Sequence, residues 1–418
     1  MTTGVQDDVV MVTEIKGNVD HYQGHSKSID NHFSSEYGYV LGAHFSDQLT
    51  GGTVNVISLQ CWAASLNAKV KVVEPFTRAG SILGFEDSFI RNTTSKDEYP
   101  RLYDYFDEHT WSSQTKKRHY PTVVTWEEFL SKAPRKIIIA GHYCDDIDDK
   151  MFAASTKFAV DNGFHILKKV CTNKKKRVSI QAYREMLYGP FKPNETVLFF
   201  IRWGGISSTE TPYEFRFREI ISGINQCTRG SLGYNSIFVP ESQRIIKNGR
   251  RYIDKYLSSD VGYIGVMMRF EYLFIYHKLK TDADRISYGR TCIASILRKV
   301  EEIKMRNKIT KVFLAMDAGK YGSRGFRLFN NSGADETLSA ALFDGLYRNN
   351  SFSYQDWTES FSNVSDFEMP GFIAMIQQNV AANAKVLLRA GGGSFQVYAD
   401  NMHRRFHPSK PDSHQLCQ

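Results

Sequence analysis

The 418-residue sequence contains no run of 18 uninterrupted apolar residues, so no segment of it reads as a membrane-spanning helix. Its opening, MTTGVQDDVVMVTEIKG, lacks the basic start and apolar core of a signal peptide. Taken literally, that favours the cytoplasm, or a lumenal domain whose anchor lies outside this sequence. The six cysteines (Cys61, Cys144, Cys171, Cys227, Cys292 and Cys417) include no CxxC pair. A thiolate metal cage is therefore unsupported, while one or two structural disulfides stay open without an assignable pairing. Neither a GxGxxG fingerprint nor a P-loop is present. Charge is not dominated by one sign: 53 Lys and Arg against 45 Asp and Glu leave +8, too modest a bias to establish nucleic-acid binding, and no nucleic-acid partner is expected.

What is present is core-forming material. Hydrophobic residues make up 42% and aromatics 13% of the chain, which excludes disorder as the general state. The length suggests about two to three domains. Five N-x-S/T sequons, at Asn92, Asn194, Asn330, Asn349 and Asn363, are a mild pointer to a secretory life.

Residues 1–35 are polar and read as a flexible leader. The first strand is expected at YGYVLGAH, Tyr37 to His44, followed by DQLTGG, an amphipathic helix TVNVISLQCWAASLN and a second strand VKVVEPF. Strand, glycine loop, helix and strand make a βαβ unit. The pair Gly51–Gly52 at the helix start would let backbone amides approach an anion, or would simply make a turn. Residues 76–125 read as long aromatic-rich loops. A helix TWEEFLSKA capped by Thr125 then precedes a buried strand KIIIA. Asp146-Ile147-Asp148 after that strand could hold a divalent metal beside a diphosphate, although Asp145 and Asp146 serve equally as caps of the next helix. Lys168, Lys169 and Lys174 to Arg177 form a basic run read as a solvated loop. TVLFFIR is a further buried strand.

The second half is more regular. Helix 240–257, strand Tyr263 to Met268, helix 282–307, strand KVFLAM, helices 335–347 and 372–384 and a final strand KVLLRA alternate as in a doubly wound sheet. The expected organisation is a leader, an acceptor-side Rossmann-like domain over 36–225, a nucleotide-binding Rossmann-like domain over 226–405, and a tail over 406–418. Three strand ends carry polar chemistry: Arg269, Asp317, and Gly391-Gly392-Gly393-Ser394-Phe395. Parallel strands place such ends along one edge, where α/β sheets bind ligands. A guanidinium there can fork onto a phosphate, or can pair with a local carboxylate such as Glu271. Glycine-turn amides and the Ser394 hydroxyl can donate to phosphate oxygens.

These segments resemble the O-fucosyltransferase-like glycosyltransferases of the GT-B fold. FVPESQRIIKNGRRYIDKYLSSDVGYIGVMMR is similar to that family's segment ending in a His-x-Arg strand, VFLAMDAG to its second strand ending in a Thr/Ser-Asp pair, and GGGSFQ falls at its Ser/Thr-Ser-Phe turn. DQLTGGTVNVISLQCWAASLNAKVKVVEPF looks like its first glycine loop, helix and strand. The resemblance implies an α/β protein of two Rossmann-like domains facing a central cleft, and transfer of fucose from GDP-fucose to a hydroxyl of a protein or glycan, with inversion and without metal or cofactor. It implies a lumenal (ER/Golgi) location. Arg269 would be catalytic, binding the diphosphate and stabilising the leaving group. Asp317, Gly392, Gly393, Ser394 and Phe395 would hold the donor, assisted by Lys385, and the Gly51–Gly52 loop would close over the sugar. Met267 stands where the family has a histidine, and Lys385 where it has an acid. Two other readings follow: a catalytically inactive GT-B binding protein, or a metal-dependent transferase using Asp146 and Asp148. No general base is singled out; Asp47, Glu74 and Glu271 qualify by location alone.

Overall fold

A computed structural model describes residues 12–14, 36–42, 56–57, 59–61, 63–64, 69–74, 76–78, 81–83, 101–142, 150–172, 180–200, 241–269, 273–274, 277–316, 352–353 and 369–417. The chain divides into two compact units: Met1–Thr77, Ser81–Leu102 and Glu108–Ile237 form the first, and Arg78–Gly80, Tyr103–Asp107 and Phe238–Gln418 the second.

The strands in chain order are β1 (Val12–Glu14), β2 (Gly38–Gly42), β3 (Val70–Val73), β4 (Phe76–Arg78), β5 (Ser81–Leu83), β6 (Val123–Val124), β7 (Lys136–His142), β8 (His165–Thr172), β9 (Val197–Phe200), β10 (Ile264–Met268), β11 (Val312–Met316), β12 (Val386–Ala390) and β13 (Ser413–Leu416). The first unit holds a seven-stranded sheet in the order β1-β8-β7-β9-β2-β3-β6, parallel throughout except for the antiparallel edge pair β1–β8. Strands β2 and β9 are buried at every position, as the apolar runs demand of parallel strands covered on both faces. Residues 56–57, 59–61 and 63–64 are helical, with Val56, Ile57, Leu59, Cys61 and Ala63 buried, so the expected βαβ unit forms. The helix Trp126–Lys132 begins at its expected cap: Thr125 Oγ1 accepts from the Glu128 amide at 3.2 Å. Its core is aromatic, with Phe129 stacked on Phe164 at 5.6 Å and Phe158 edge-on to Phe199 at 5.4 Å.

Several expectations for this unit need correction. Val12–Glu14, inside the expected leader, is a strand opposite Lys168–Val170. The loops expected over 76–125 contain the β4–β5 pair and the helices Leu102–Tyr105 and Glu108–Lys116. Lys168 and Lys169 are not in a solvated loop but on β8. Lys168 is buried because its Nζ donates to the Met186 carbonyl at 2.8 Å, while its stem supplies apolar surface. Lys174 to Arg177 lie outside the described residues.

The second unit holds the four-stranded sheet β11-β10-β12-β13, all parallel. Its helices Gln243–Tyr252, Asp282–Asn307 and Met369–Ala382 follow the expected apolar spacing. Ile293, Ile296, Val300 and Ile303 pack on Ile264, Val266 and Met268 of β10 and on the neighbouring strands in a largely aliphatic core. The expected helix 335–347 lies outside the described residues. Two elements escaped the sequence reading. The stretch from Ser394 is a 13-residue helix, Ser394–Phe406, and the expected tail supplies β13. A disulfide between Cys292 on the long helix and Cys417 just after β13, with Cα atoms 5.6 Å apart, fastens that edge strand. Cys61 in the first unit is also disulfide-bonded. No helix among the described residues is long and apolar enough to cross a membrane.

Candidate functional site: a strand-end edge of the second unit

The register fixes which ends meet. Met268 of β10 stands opposite Met316 and Ala390, and Ala390 stands opposite Leu416. The residues that follow, Arg269 and Gly391, therefore emerge side by side at the carboxyl edge. The Arg269 amide donates to the Ala390 carbonyl at 2.8 Å, so the two strands stay paired to their last residues. The Arg269 side chain is half-buried.

Gly391 is required on two counts. Its φ is +98°, and a Cβ there would lie 2.6 Å from the Arg269 carbonyl oxygen. Any side chain would push the turn off Arg269. Gly393, with φ +86°, then caps the helix Ser394–Phe406 without a side-chain hydrogen bond, and the first intrahelical bond runs from the Val397 amide to the Gly393 carbonyl at 3.2 Å. The amides of Ser394, Phe395 and Gln396 precede that bond and have no partner within the helix. They place the positive end of a helix dipole, equivalent to roughly half a charge, at the edge from which Arg269 emerges.

Three glutamines, two of them buried, hold this arrangement, and the sequence pattern does not point to them. Gln396 is fully buried; its Nε2 donates to the carbonyls of Met267 at 3.2 Å and Ala390 at 2.6 Å. One amide thereby ties the first turn of the helix to the last residues of β10 and β12. Gln378 Nε2 donates to the Phe395 carbonyl at 2.7 Å, and Gln415 on β13 donates to the Gly391 carbonyl. Nothing in the one-dimensional pattern marks these glutamines except that Gln396 closes the GGGSFQ stretch. Met267 is buried, so the position where a histidine is usual in the resembling family presents no polar group at the edge.

The structure brings together Arg269, Gly392, Gly393, Ser394 and Phe395, but not Lys385. Lys385 immediately precedes β12, and its amide donates to the Tyr263 carbonyl at the start of β10. A five-residue strand, about 16 Å at ~3.3 Å per residue, separates it from the edge that Arg269 occupies. Its expected help to the donor is thus corrected: it stands at the opposite edge of the sheet. Gly51, Gly52, Asp317, Asp146, Asp148, Asp47 and Glu271 lie outside the described residues. Glu74, the remaining candidate base, is buried after β3 and its Oε1 accepts from the Trp126 amide at 3.2 Å, the role of a carboxylate at a helix start. Among the described residues no three His, Cys, Asp or Glu side chains gather as a metal site would require.

Comparison with known proteins finds no matching family model and no matching curated protein. Solved structures do match. POFUT1 in complex with GDP is 11% identical with a TM-score of 0.50, covering 91% of this chain and 98% of that one. POFUT1 in complex with GDP-fucose, in a second crystal form, gives the same values: 11%, 0.50, 91% and 98%. The likeness shows the fold, which is α/β of the GT-B type, as in an O-fucosyltransferase-like glycosyltransferase.

Proposed function

We propose that the protein is a glycosyltransferase that takes fucose from GDP-fucose and transfers it to a hydroxyl of a protein or glycan, with inversion and without a metal. One observation carries this reading. Arg269, a glycine turn and the first amides of a 13-residue helix meet at the carboxyl edge of a parallel sheet, in a fold whose solved examples hold GDP and GDP-fucose.

The chemistry follows from charge. Glycosyl transfer passes through an oxocarbenium-like state while negative charge develops on the departing diphosphate. Fixed donors aimed at that charge lower the barrier without reorganising at the moment of reaction. Arg269 supplies a full charge and the amides of Ser394 to Gln396 supply dipoles. Gln396, Gln378 and Gln415 act as positioning residues, because the side-chain amide of each donates to a backbone carbonyl of the turn, the helix start or the strand ends. The Cys292–Cys417 disulfide and the bonded Cys61 suit an oxidising compartment, which supports a lumenal location.

The test is release of GDP and transfer of labelled fucose to a panel of protein and glycan acceptors, with and without a chelator. Transfer that persists in chelator and drops in Arg269→Ala supports the reading. Loss in chelator would favour the Asp146/Asp148 alternative, and GDP-fucose binding with no turnover on any acceptor would make the protein a binding member of the fold.

A further inference from the structure

A second charged feature of the same unit has no part in the donor edge. Lys247, Arg250, Arg251, Asp254 and Lys255 line a shallow concavity on the helix Gln243–Tyr252 and the π-turn Ile253–Leu257 that continues it. Their spacing (i, i+3, i+4, i+7, i+8) puts all five on one stripe, spanning about 12 Å at 1.5 Å per residue. The opposite stripe, Ile245, Gly249, Tyr252 and Leu257, is buried, so the helix cannot turn its charges elsewhere. All four cations are exposed, and none forms an ion pair with a described residue. Elsewhere on this unit surface cations do find carboxylates: Lys299 meets Glu302 and Lys304 meets Glu301, each at 2.7 Å. Four uncompensated cations against one aspartate repel one another, and an anion lying along the stripe relieves that repulsion.

We infer that this stripe is a docking surface for a polyanionic glycan, a sulfated polysaccharide in particular. The charges repeat along a line, which suits a chain with anionic groups at regular intervals, and arginine forks match a sulfate's oxygens as they match a phosphate's. The disulfides suit an oxidising compartment, where a nucleic acid is a less common partner than in the cytosol or nucleus. A membrane surface fits poorly, because interfacial helices bury an apolar face in lipid and the apolar face here is already in the core. Tyr256, 45% exposed with the Lys255 ammonium 4.9 Å from its ring, adds an amphipathic side chain beside the stripe. The segment ends at the amino edge of the sheet, where Lys311, just before β11, donates to the Ser258 carbonyl at 2.8 Å. It is thus remote from Arg269, and the glycan would be held by a different surface from the donor.

The experiment compares three full-length proteins on immobilised heparin under a salt gradient: wild type, a stripe variant (Lys247→Ser, Arg250→Ser, Arg251→Ser, Lys255→Ser) and a charge-matched control (Lys117→Ser, Lys132→Ser, Lys157→Ser, Lys192→Ser). The control removes four exposed cations of the first unit. In solution, heparin oligosaccharide is expected to bind the stripe variant about tenfold or more weaker than wild type, the summed effect of four exposed charge contacts, with the control near wild type. Equal weakening in both variants would mean that retention follows net charge, and would overturn the inference. So would stripe-dependent binding of polyglutamate, of phosphatidylserine vesicles or of a DNA duplex in place of the sulfated chain. GDP binding by the stripe variant, measured in parallel, shows that it is folded. It also separates failure here from failure of the donor assignment; if the fourfold change disturbs folding, the pair Lys247→Ser/Arg251→Ser asks the same question.

Discussion

The two units solve the same problem, covering a parallel sheet on both faces, with different chemistry. The first packs aromatic on aromatic: Trp126, Phe129, Phe158, Phe164 and Phe199 form one contiguous cluster behind β2, β7 and β9. The second packs aliphatic side chains under β10, β11 and β12, and places side-chain amides at its carboxyl edge, where the buried Gln378 and Gln396 and the half-buried Gln415 each take a backbone carbonyl. Apolar packing is non-directional and tolerates exchange of shape for shape. An amide must meet a particular carbonyl, and a buried carbonyl left without it costs about 1–3 kcal/mol. The contrast suggests that the first unit's described core is built for bulk stability, and the second's edge for holding a few atoms in fixed places.

The largest test of this contrast is the fastening of β13. Cys292 and Cys417 are 125 residues apart in sequence. Loop-closure entropy gives a cross-link of about that span roughly 4–5 kcal/mol. Cys292→Ser/Cys417→Ser is therefore expected to lower unfolding stability in denaturant by about that much. Because β13 carries Gln415 to the Gly391 turn, it is also expected to weaken GDP binding. Stability lost with GDP affinity intact would uncouple the edge strand from the site.

Next is the guanidinium itself. Arg269→Ala is expected to lower fucose transfer about 10²–10³-fold, the usual cost of removing one preorganised donor to developing charge. The change should show little effect on melting temperature. The matching lesion in the first unit, Phe129→Ala, should do the reverse, costing about 3–5 kcal/mol of stability. If Arg269→Ala unfolds the protein instead, the side chain is structural.

Third, the second unit carries a buried acid. Glu241 is pushed up to about 7 by burial, against the lowering effect of its hydrogen bonds from Asn379 Nδ2 and its own backbone. Folding thus favours the protonated acid. Between about pH 4.5 and pH 7 the folded state holds a proton that the unfolded chain has lost, so stability is greatest below that window and falls as pH rises through it, by about 3 kcal/mol in total. Glu241→Gln, which keeps an acceptor for Asn379 and cannot ionise, should flatten that part of the profile in pH-dependent denaturant unfolding. An unchanged slope would contradict the assignment. The smallest effect belongs to the first unit: Thr125→Ala removes the cap of the helix Trp126–Lys132 and should cost about 1 kcal/mol, read from the same unfolding curves.

The same contrast decides what was legible in the sequence. β2, β3, β7, β9, β10, β11 and β12 stand out as apolar runs because burial on both faces leaves few polar positions, such as Lys71 in β3 and Arg389 in β12. β13 (SHQL) and β8, with two adjacent lysines, carry no such run; partners across the sheet and the Met186 carbonyl make them strands. Arg269 and the glycine turn were legible, since strand ends follow from strands. The glutamines were not, because an amide's value lies in which carbonyl it reaches. Lys385 was misplaced for a simpler reason: a strand advances about 3.3 Å per residue, so residues at its two ends cannot share an edge.

The most direct test is a calorimetric titration of GDP into the wild type, Arg269→Ala and Lys385→Ala. Binding to the wild type and to Lys385→Ala with equal affinity, and its loss in Arg269→Ala, is what the carboxyl-edge site predicts. Equal affinity for wild type and Arg269→Ala, or loss in Lys385→Ala alone, would contradict it.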